Sequence, residues 1–205
     1  GGAVTISIED AGVGAFEKVR VGKHLESHFD ALGQLSKGKL TTDPERHTGE
    51  GIFFTSKVVD RFTLAANDIE WTVDNVGGDV AVGVSGRVAG TTIRLVHGLD
   101  CERTLESVFG DYTTGLEFDT SRTVVKLFEY GGTFISRSEA RRLSVGLERF
   151  RVVIVDFRGI ERVGQGFVDE LFRVWARGNE DVSLEPVNMN AAVEFMVRRG
   201  LDAGG

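Results

Sequence analysis

Val4-Thr5-Ile6-Ser7-Ile8-Glu9-Asp10-Ala11-Gly12-Val13-Gly14 stands almost at the front of the chain. Val4 to Glu9 alternate apolar and polar side chains, which predicts a half-buried strand. Asp10 to Gly14 follow as a turn rich in glycine. A carboxylate at a strand end can accept a hydrogen bond from an exocyclic amine. Two glycines let the backbone approach a flat ring closely and permit positive φ. A plain strand-to-helix turn has the same composition, so the string does not decide by itself. A helical pattern follows over 15–32, with Phe16, Val19, Leu25, Phe29 and Leu32 as the inward positions.

Residues 33–51 break that pattern. Gly33, Gly38, Pro44, Gly49 and Gly51 interrupt a polar segment too long for a plain connection, and such loops are usually functional or disordered. Lys37 and Lys39 lie in it, either as solvated lysines or as partners for phosphate. It ends in Thr48-Gly49-Glu50-Gly51 ahead of a second helix over about 50–61. Free amides at a helix N-terminus bind phosphate, aided by the helix dipole. A helix entry capped by Thr48 would look the same. From 62 to 97 the pattern turns to short strands, 62–66, 69–73, 80–84 and 91–96, separated by Asn, Asp and Gly, which reads as an antiparallel meander. Gly90-Thr91-Thr92 opens the last of them. A short helix near 103–109 and a glycine- and threonine-rich stretch mark a join between two domains.

The second half reads β-α-β-α-β-α. Thr123 to Phe128 is a strand. Ser136-Arg137-Ser138-Glu139 is a capping box that opens a helix running to about Phe150. Val152 to Phe157 is a nearly continuous apolar run, the mark of a strand covered on both faces. Gly164-Gln165-Gly166 precedes a helix over about 167–177, with Phe167, Leu171, Val174 and Trp175 inward. Val182 to Val187 is a last strand, and a helix over about 190–199 follows. Asp169 and Arg173 stand at the spacing of a surface ion pair. Arg137, Arg141 and Arg142 read as a solvated helix face, with contact to an acidic partner or nucleic acid as the alternative.

The whole chain has 205 residues, of which 41% are hydrophobic, and a net charge of −7. A core of real size is therefore expected, and a sequence-blind nucleic-acid binder is not. Cys101 is the single cysteine. It can form no intrachain disulfide, and no Cys/His spacing of metal type accompanies it. With no apolar run of membrane-spanning length and no signal peptide, a cytoplasmic protein with no membrane partner is expected. The chain starts Gly1-Gly2-Ala3-Val4 without an initiator Met and enters a strand at once, so we expect a fragment of a longer protein.

Strand, Asp-x-Gly-x-Gly, helix, long polar segment, Gly-x-Gly, helix, antiparallel strands and Gly-Thr, in that order, resemble the GHKL superfamily of ATP-binding proteins over residues 3–98, with a lid at 33–51. The resemblance implies a partial Bergerat-type helix/sheet sandwich that binds ATP with Mg2+. It assigns Asp10 to the adenine amino group and Gly12 and Gly14 to the floor of the base pocket. Thr91 or Thr92 would support the adenine. Thr48, Gly49 and Gly51 would contact the phosphates, with Lys37 and Lys39 in the lid beside them. Members of the superfamily carry an upstream helix whose Asn holds magnesium, often with a residue that activates water. No such helix precedes Val4, so no catalytic residue and no metal ligand is assigned and the chain is expected to be catalytically incomplete, since phosphoryl chemistry rests on positioning and charge neutralisation.

After a connecting segment, 99–118, the stretches Phe134 to Ala140, Val153 to Phe157 and Gly164 to Val174 are similar to a STAS-like domain of unassigned function, taken to span 119–202. The overall expectation is an α/β (α+β) chain: half of a nucleotide-binding domain followed by a STAS-like β-α-β domain. The resemblance implies a prokaryotic regulator with an unidentified protein partner for the STAS-like domain, and DNA contact only through a missing N-terminal domain. A non-catalytic interaction or scaffold module with a degenerate nucleotide site is the alternative. STAS domains switched by phosphorylation carry a serine where this chain has Gly164-Gln165-Gly166, so such a switch is not expected here.

Overall fold

The structure is a computed structural model that describes residues 1–38, 50–86, 89–112, 122–130 and 132–202. The chain divides into two compact units, Gly1–Phe118 and Asp119–Gly205. Helices and both antiparallel and parallel sheets make it a mixed α/β protein. Among the described residues no helix is long and apolar enough to cross a membrane.

The first unit is built on a five-stranded sheet. Its strands are β1 (Ala3–Asp10), β2 (Arg61–Ala66), β3 (Ile69–Asp74), β4 (Asp79–Val84) and β5 (Thr91–Gly98). The spatial order is β1-β5-β2-β3-β4, and every pair is antiparallel. The expected meander holds for β2-β3-β4, but β5 crosses back and inserts between β1 and β2. The β2–β3 turn is a two-residue one in which Asn67 and Asp68 both take positive φ, 49° and 63°, the geometry that matches strand twist and that Asn and Asp tolerate. Phe62, Leu64 and Ala66 face Ile69, Trp71 and Val73 from β3 in one apolar layer, which Phe16, Val19, Ala31, Leu32 and Leu35 cover from the helices.

Those helices are α1 (Ala15–Gly22), α2 (His28–Lys37) and α3 (Gly51–Val58). The single helix expected over 15–32 is two. His24 takes a positive φ of 53°, and Ser27 with Asp30 closes a capping box that starts α2. Periodicity runs through such a break because both halves keep an apolar stripe. Phe29, expected inward, is exposed. The helix also runs further than expected, through Lys37 into the segment read as a lid, and stops at Gly38. Gly38 has φ 83° and ψ −178°, a backbone reserved for glycine, and a Cβ there would lie 2.9 Å from the Phe53 ring. A fourth helix, α4 (Leu105–Tyr112), packs Val108, Phe109 and Tyr112 on Phe53 and Phe54 of α3. The connecting segment 99–118 thus contributes to the first unit.

β1 departs most from expectation. All eight of its residues are exposed, Ile8 by 56%. Ile6 pairs with Leu95 and Ile8 with Ile93, so its apolar residues share the face that carries the helices. Among the described residues the helix layer reaches β5 and stops short of β1.

The second unit has a parallel sheet ordered β6 (Arg122–Lys126), β7 (Val152–Asp156), β8 (Ser183–Val187). Its helices are α5 (Arg137–Ser144), α6 (Gln165–Val168), which continues into a π-helical stretch at Asp169–Trp175, and α7 (Ala191–Asp202). Val125, Val153 and Val155 meet Leu143, Phe167, Leu171, Val193 and Val197 in its core. In β7, Val153 and Val155 are buried while Val152 and Ile154 are half-buried, so the apolar run is fully covered on one face only. Helix α5 stops at Ser144 rather than near Phe150, because Gly146 adopts a left-handed φ of 82°. Val174, expected inward, is exposed at 41%.

Candidate functional site

In the first unit, loops far apart in sequence meet at the end of β1. The antiparallel register sets Asp10 opposite Thr91, so both side chains lie on the helix-bearing face, and Glu9 opposite Thr92 on the other. The Gly12 amide donates to Asp10 Oδ1 at 2.7 Å, and the Gly90 amide donates to the Gly12 carbonyl at 2.7 Å. Gly90 has φ +75°, and a Cβ on it would fall 2.1 Å from the Asp10 carbonyl oxygen. The loop at 10–14 and the entry to β5 thus touch backbone to backbone, which only glycine permits.

Asn67 joins this group, and the sequence showed it only as a turn residue. From the β2–β3 turn its Nδ2 donates to the Val13 carbonyl at 2.9 Å and its Oδ1 accepts from the Glu17 amide at 3.0 Å. It therefore caps α1 from another element, since Gly14 at the N-cap offers no side chain. A Cβ on Gly14 (φ +90°) would crowd Asn67 Oδ1 to 2.3 Å. Beyond the cap, Glu17 is held well down, to about 2, by hydrogen bonds from Arg20 and then His28, the latter tying α1 to α2 at 2.7 Å.

Asp10, Gly12, Gly14 and Thr91 thus form one cluster. Thr92 does not join it. Thr92 lies on the opposite face of the sheet, in a shallow depression of about 570 Å³ that it shares with Arg61, Glu70, Asp74, Asp79 and Arg94. Of the residues expected at the phosphates, Lys39, Thr48 and Gly49 lie outside the described residues. Lys37 belongs to α2 and is only 1% exposed, so it is neither a solvated lysine nor a lid arm. Gly51 is the first residue of α3, and a Cβ there would meet open space. The N-cap ahead of it is Glu50, a buried carboxylate with no side-chain cap bond.

In the second unit the capping box forms as the sequence predicts. Ser136 Oγ accepts from the Glu139 amide at 3.3 Å, and Glu139 accepts from the Ser136 amide at 2.9 Å. Glu139 does more than cap. Its carboxylate also accepts from the amides of Thr133, Phe134 and Ile135, at 2.8, 3.0 and 3.0 Å. Burial pushes its pKa up, but the Ser136 amide and hydroxyl, the Thr133 hydroxyl and the Ile135 amide outweigh that and hold it to about 2. The loop so pinned abuts the start of α6. The Gly164 amide donates to the Phe134 carbonyl at 2.9 Å, and a Cβ on Gly164 would stand 2.4 Å from the Ile135 carbonyl oxygen. Glycine at 164 is therefore a packing requirement.

Arg137 and Arg141 are not merely a solvated face. Arg137 pairs with Asp169 at 3.1 Å and Arg141 with the buried Glu170 at 2.7 Å, joining α5 to the π-helical stretch. Asp169 also takes the expected bond from Arg173, which holds its carboxyl below the ordinary range. At the end of β7, Asp156 is buried and accepts from the Arg158 amide at 2.9 Å and from Asn188 at 2.8 Å, fixing two loops together.

A third group lies at the other end of β5, where Asp60, His97 and Cys101 come together. The sequence offered no signal for it, since only His97 and Cys101 are near one another in the chain.

Residues 139–194 match the family model of a STAS-like domain of unknown function. The match runs from α5 into α7, so this part of the second unit is STAS-like. No curated protein matches the chain.

Proposed function

We propose that the chain is a nucleotide-responsive regulatory protein, in which the cluster of Asp10, Gly12, Gly14 and Thr91 holds the base of ATP and the STAS-like unit engages a protein partner. The observation that carries this reading is the meeting of the 10–14 loop with the Gly90–Thr91 entry. A carboxylate and a threonine side chain stand side by side above backbone that only glycine could bring so close. A carboxylate is the acceptor an exocyclic amine requires, and a wall of bare backbone suits a flat ring. The phosphates would fall to Gly51 and to Lys39, Thr48 and Gly49, and no residue is assigned to the Mg2+ that accompanies them. Lys37 has no part in this.

A second reading is a non-catalytic scaffold with a degenerate nucleotide site. The burial of Lys37 favours it, because it takes from the phosphate side one of the lysines expected there. The two readings separate by limited proteolysis with and without Mg-ATP. The regulator predicts nucleotide-dependent protection of the 39–49 segment and a raised melting temperature. Unchanged cleavage and melting would leave the scaffold.

A further inference from the structure

Asp60 stands in the connection between α3 and β2, His97 near the end of β5, and Cys101 in the turn beyond it. Register explains their meeting. Arg61 pairs with Val96, so the residues just outside that pair, Asp60 and His97, come level. The Cys101 amide donates to the Gly98 carbonyl at 3.2 Å, turning the chain back toward them. One carboxylate oxygen, one imidazole nitrogen and the thiol sulfur all lie within 4.8 Å of one another.

The surroundings hold these groups in place. The Gly98 amide donates to Asp60 Oδ2 at 2.7 Å, and Arg103 approaches Oδ1 at 3.4 Å while its other arm donates to the Asn75 carbonyl. His97 Nδ1 is shut away from solvent without a hydrogen-bond partner. An imidazole nitrogen in that state is a lone pair or a proton with no outlet, and buried polar atoms are rarely left so.

We propose that Asp60, His97 and Cys101 form a binding site for a divalent metal ion of the zinc class. Thiolate, imidazole and carboxylate are the three donor types zinc accepts, and soft sulfur argues against magnesium or calcium. With bonds of about 2.0–2.3 Å, a tetrahedral shell sets its donors about 3.3–3.8 Å apart. The three groups, already within 4.8 Å of one another, would close to that spacing on binding. Cys101 releases its proton to solvent on binding, so the thiolate and the carboxylate together balance the ion's charge. The Gly98 amide and Arg103 fix the orientation of the Asp60 carboxylate, as second-sphere groups do. Three protein donors leave a fourth position for water or for a donor from elsewhere.

The test uses cobalt(II) as the probe on the full, reduced chain. The expected result is one equivalent bound, with a thiolate-to-cobalt charge-transfer band, bands of a four-coordinate ion, and loss of all of them when zinc(II) is added. His97→Gln and Asp60→Asn should each weaken binding by about ten-fold or more, Cys101→Ser should remove the charge-transfer band, and His24→Ala, outside the cluster, should change nothing. Circular dichroism reports whether each variant folds, and the wild-type spectrum stands without them. No charge-transfer band in the wild type, or a band that folded His97→Gln and Asp60→Asn variants retain at full affinity, overturns the proposal and leaves an adventitious thiol contact only.

Discussion

A methyl group on Gly164 would have to share space with the Ile135 carbonyl oxygen, 2.4 Å from where it would sit. Gly164→Ser should therefore lower stability by about 1–3 kcal/mol, read by urea denaturation. Gly178→Ser, where the nearest atom is at an ordinary 3.5 Å, should cost less, within about 0.5 kcal/mol of wild type. Glu139 makes a related case. Its carboxylate serves four backbone amides, so Glu139→Ala should cost about 2–4 kcal/mol, more than the ~1 kcal/mol of a simple lost cap. Half of that role was legible in the sequence. Ser136-x-x-Glu139 is a local pattern and names the cap. The bonds to Thr133, Phe134 and Ile135 depend on a loop that bends back, with Phe134 at a positive φ of 53°, and no local signal announces that. The burial of Lys37 was not legible for the same kind of reason. Its charge and the glycine after it suggest a surface loop, whereas burial depends on how far α2 continues.

At the level of elements, the strands of the first unit were readable because alternation and Asn, Asp and Gly punctuation are properties of short stretches. Their spatial order was not. β5 inserts between β1 and β2 through pairings between residues far apart in the chain, such as Ile6 with Leu95 and Leu64 with Ile93. The same long-range pairing sets Asp10 beside Thr91 and Asp60 beside His97, which is why neither cluster shows in composition or spacing. Alternation in β1 was read correctly as a strand and incorrectly as half-buried, because periodicity reports which face is apolar and not whether anything covers it. That difference is measurable. Leu64, fully buried, should cost about 2–5 kcal/mol when replaced by Ala. Ile8→Thr, on the exposed β1, should stay within about 0.5 kcal/mol of wild type by the same denaturation assay. In the second unit, the ion pairs from Arg137 and Arg141 meet the π-helical stretch at Asp169 and Glu170. Insertions of this kind often mark positions under functional constraint.

For the whole molecule, lowered carboxylates shape the acid limit in both units: Glu17, Asp60 and Asp74 in the first, Glu139 and Asp169 in the second. Glu17 and Glu139 are both held to about 2 from an ordinary 4.5. A lowered carboxylate stabilises the fold fully above its unfolded value and ceases to do so below its folded one. Stability should thus fall as pH drops from about 4.5 to about 2. In Glu139→Gln that fall should be shallower, which circular dichroism across an acid titration would show. Charge alone does not favour a nucleotide, since the chain carries a net −7. Affinity has to come from the shaped cluster at the end of β1. Isothermal titration of the chain with Mg-ATP, beside the Asp10→Asn variant, tests that claim most directly. Asparagine keeps an acceptor oxygen for the Gly12 amide while setting a donor against the base amine. Saturable binding to the wild type is expected, weakened by about ten-fold or more in Asp10→Asn, as a loss of one charge-assisted hydrogen bond implies. No saturable binding to the wild type, or equal affinity in the two proteins, would contradict it.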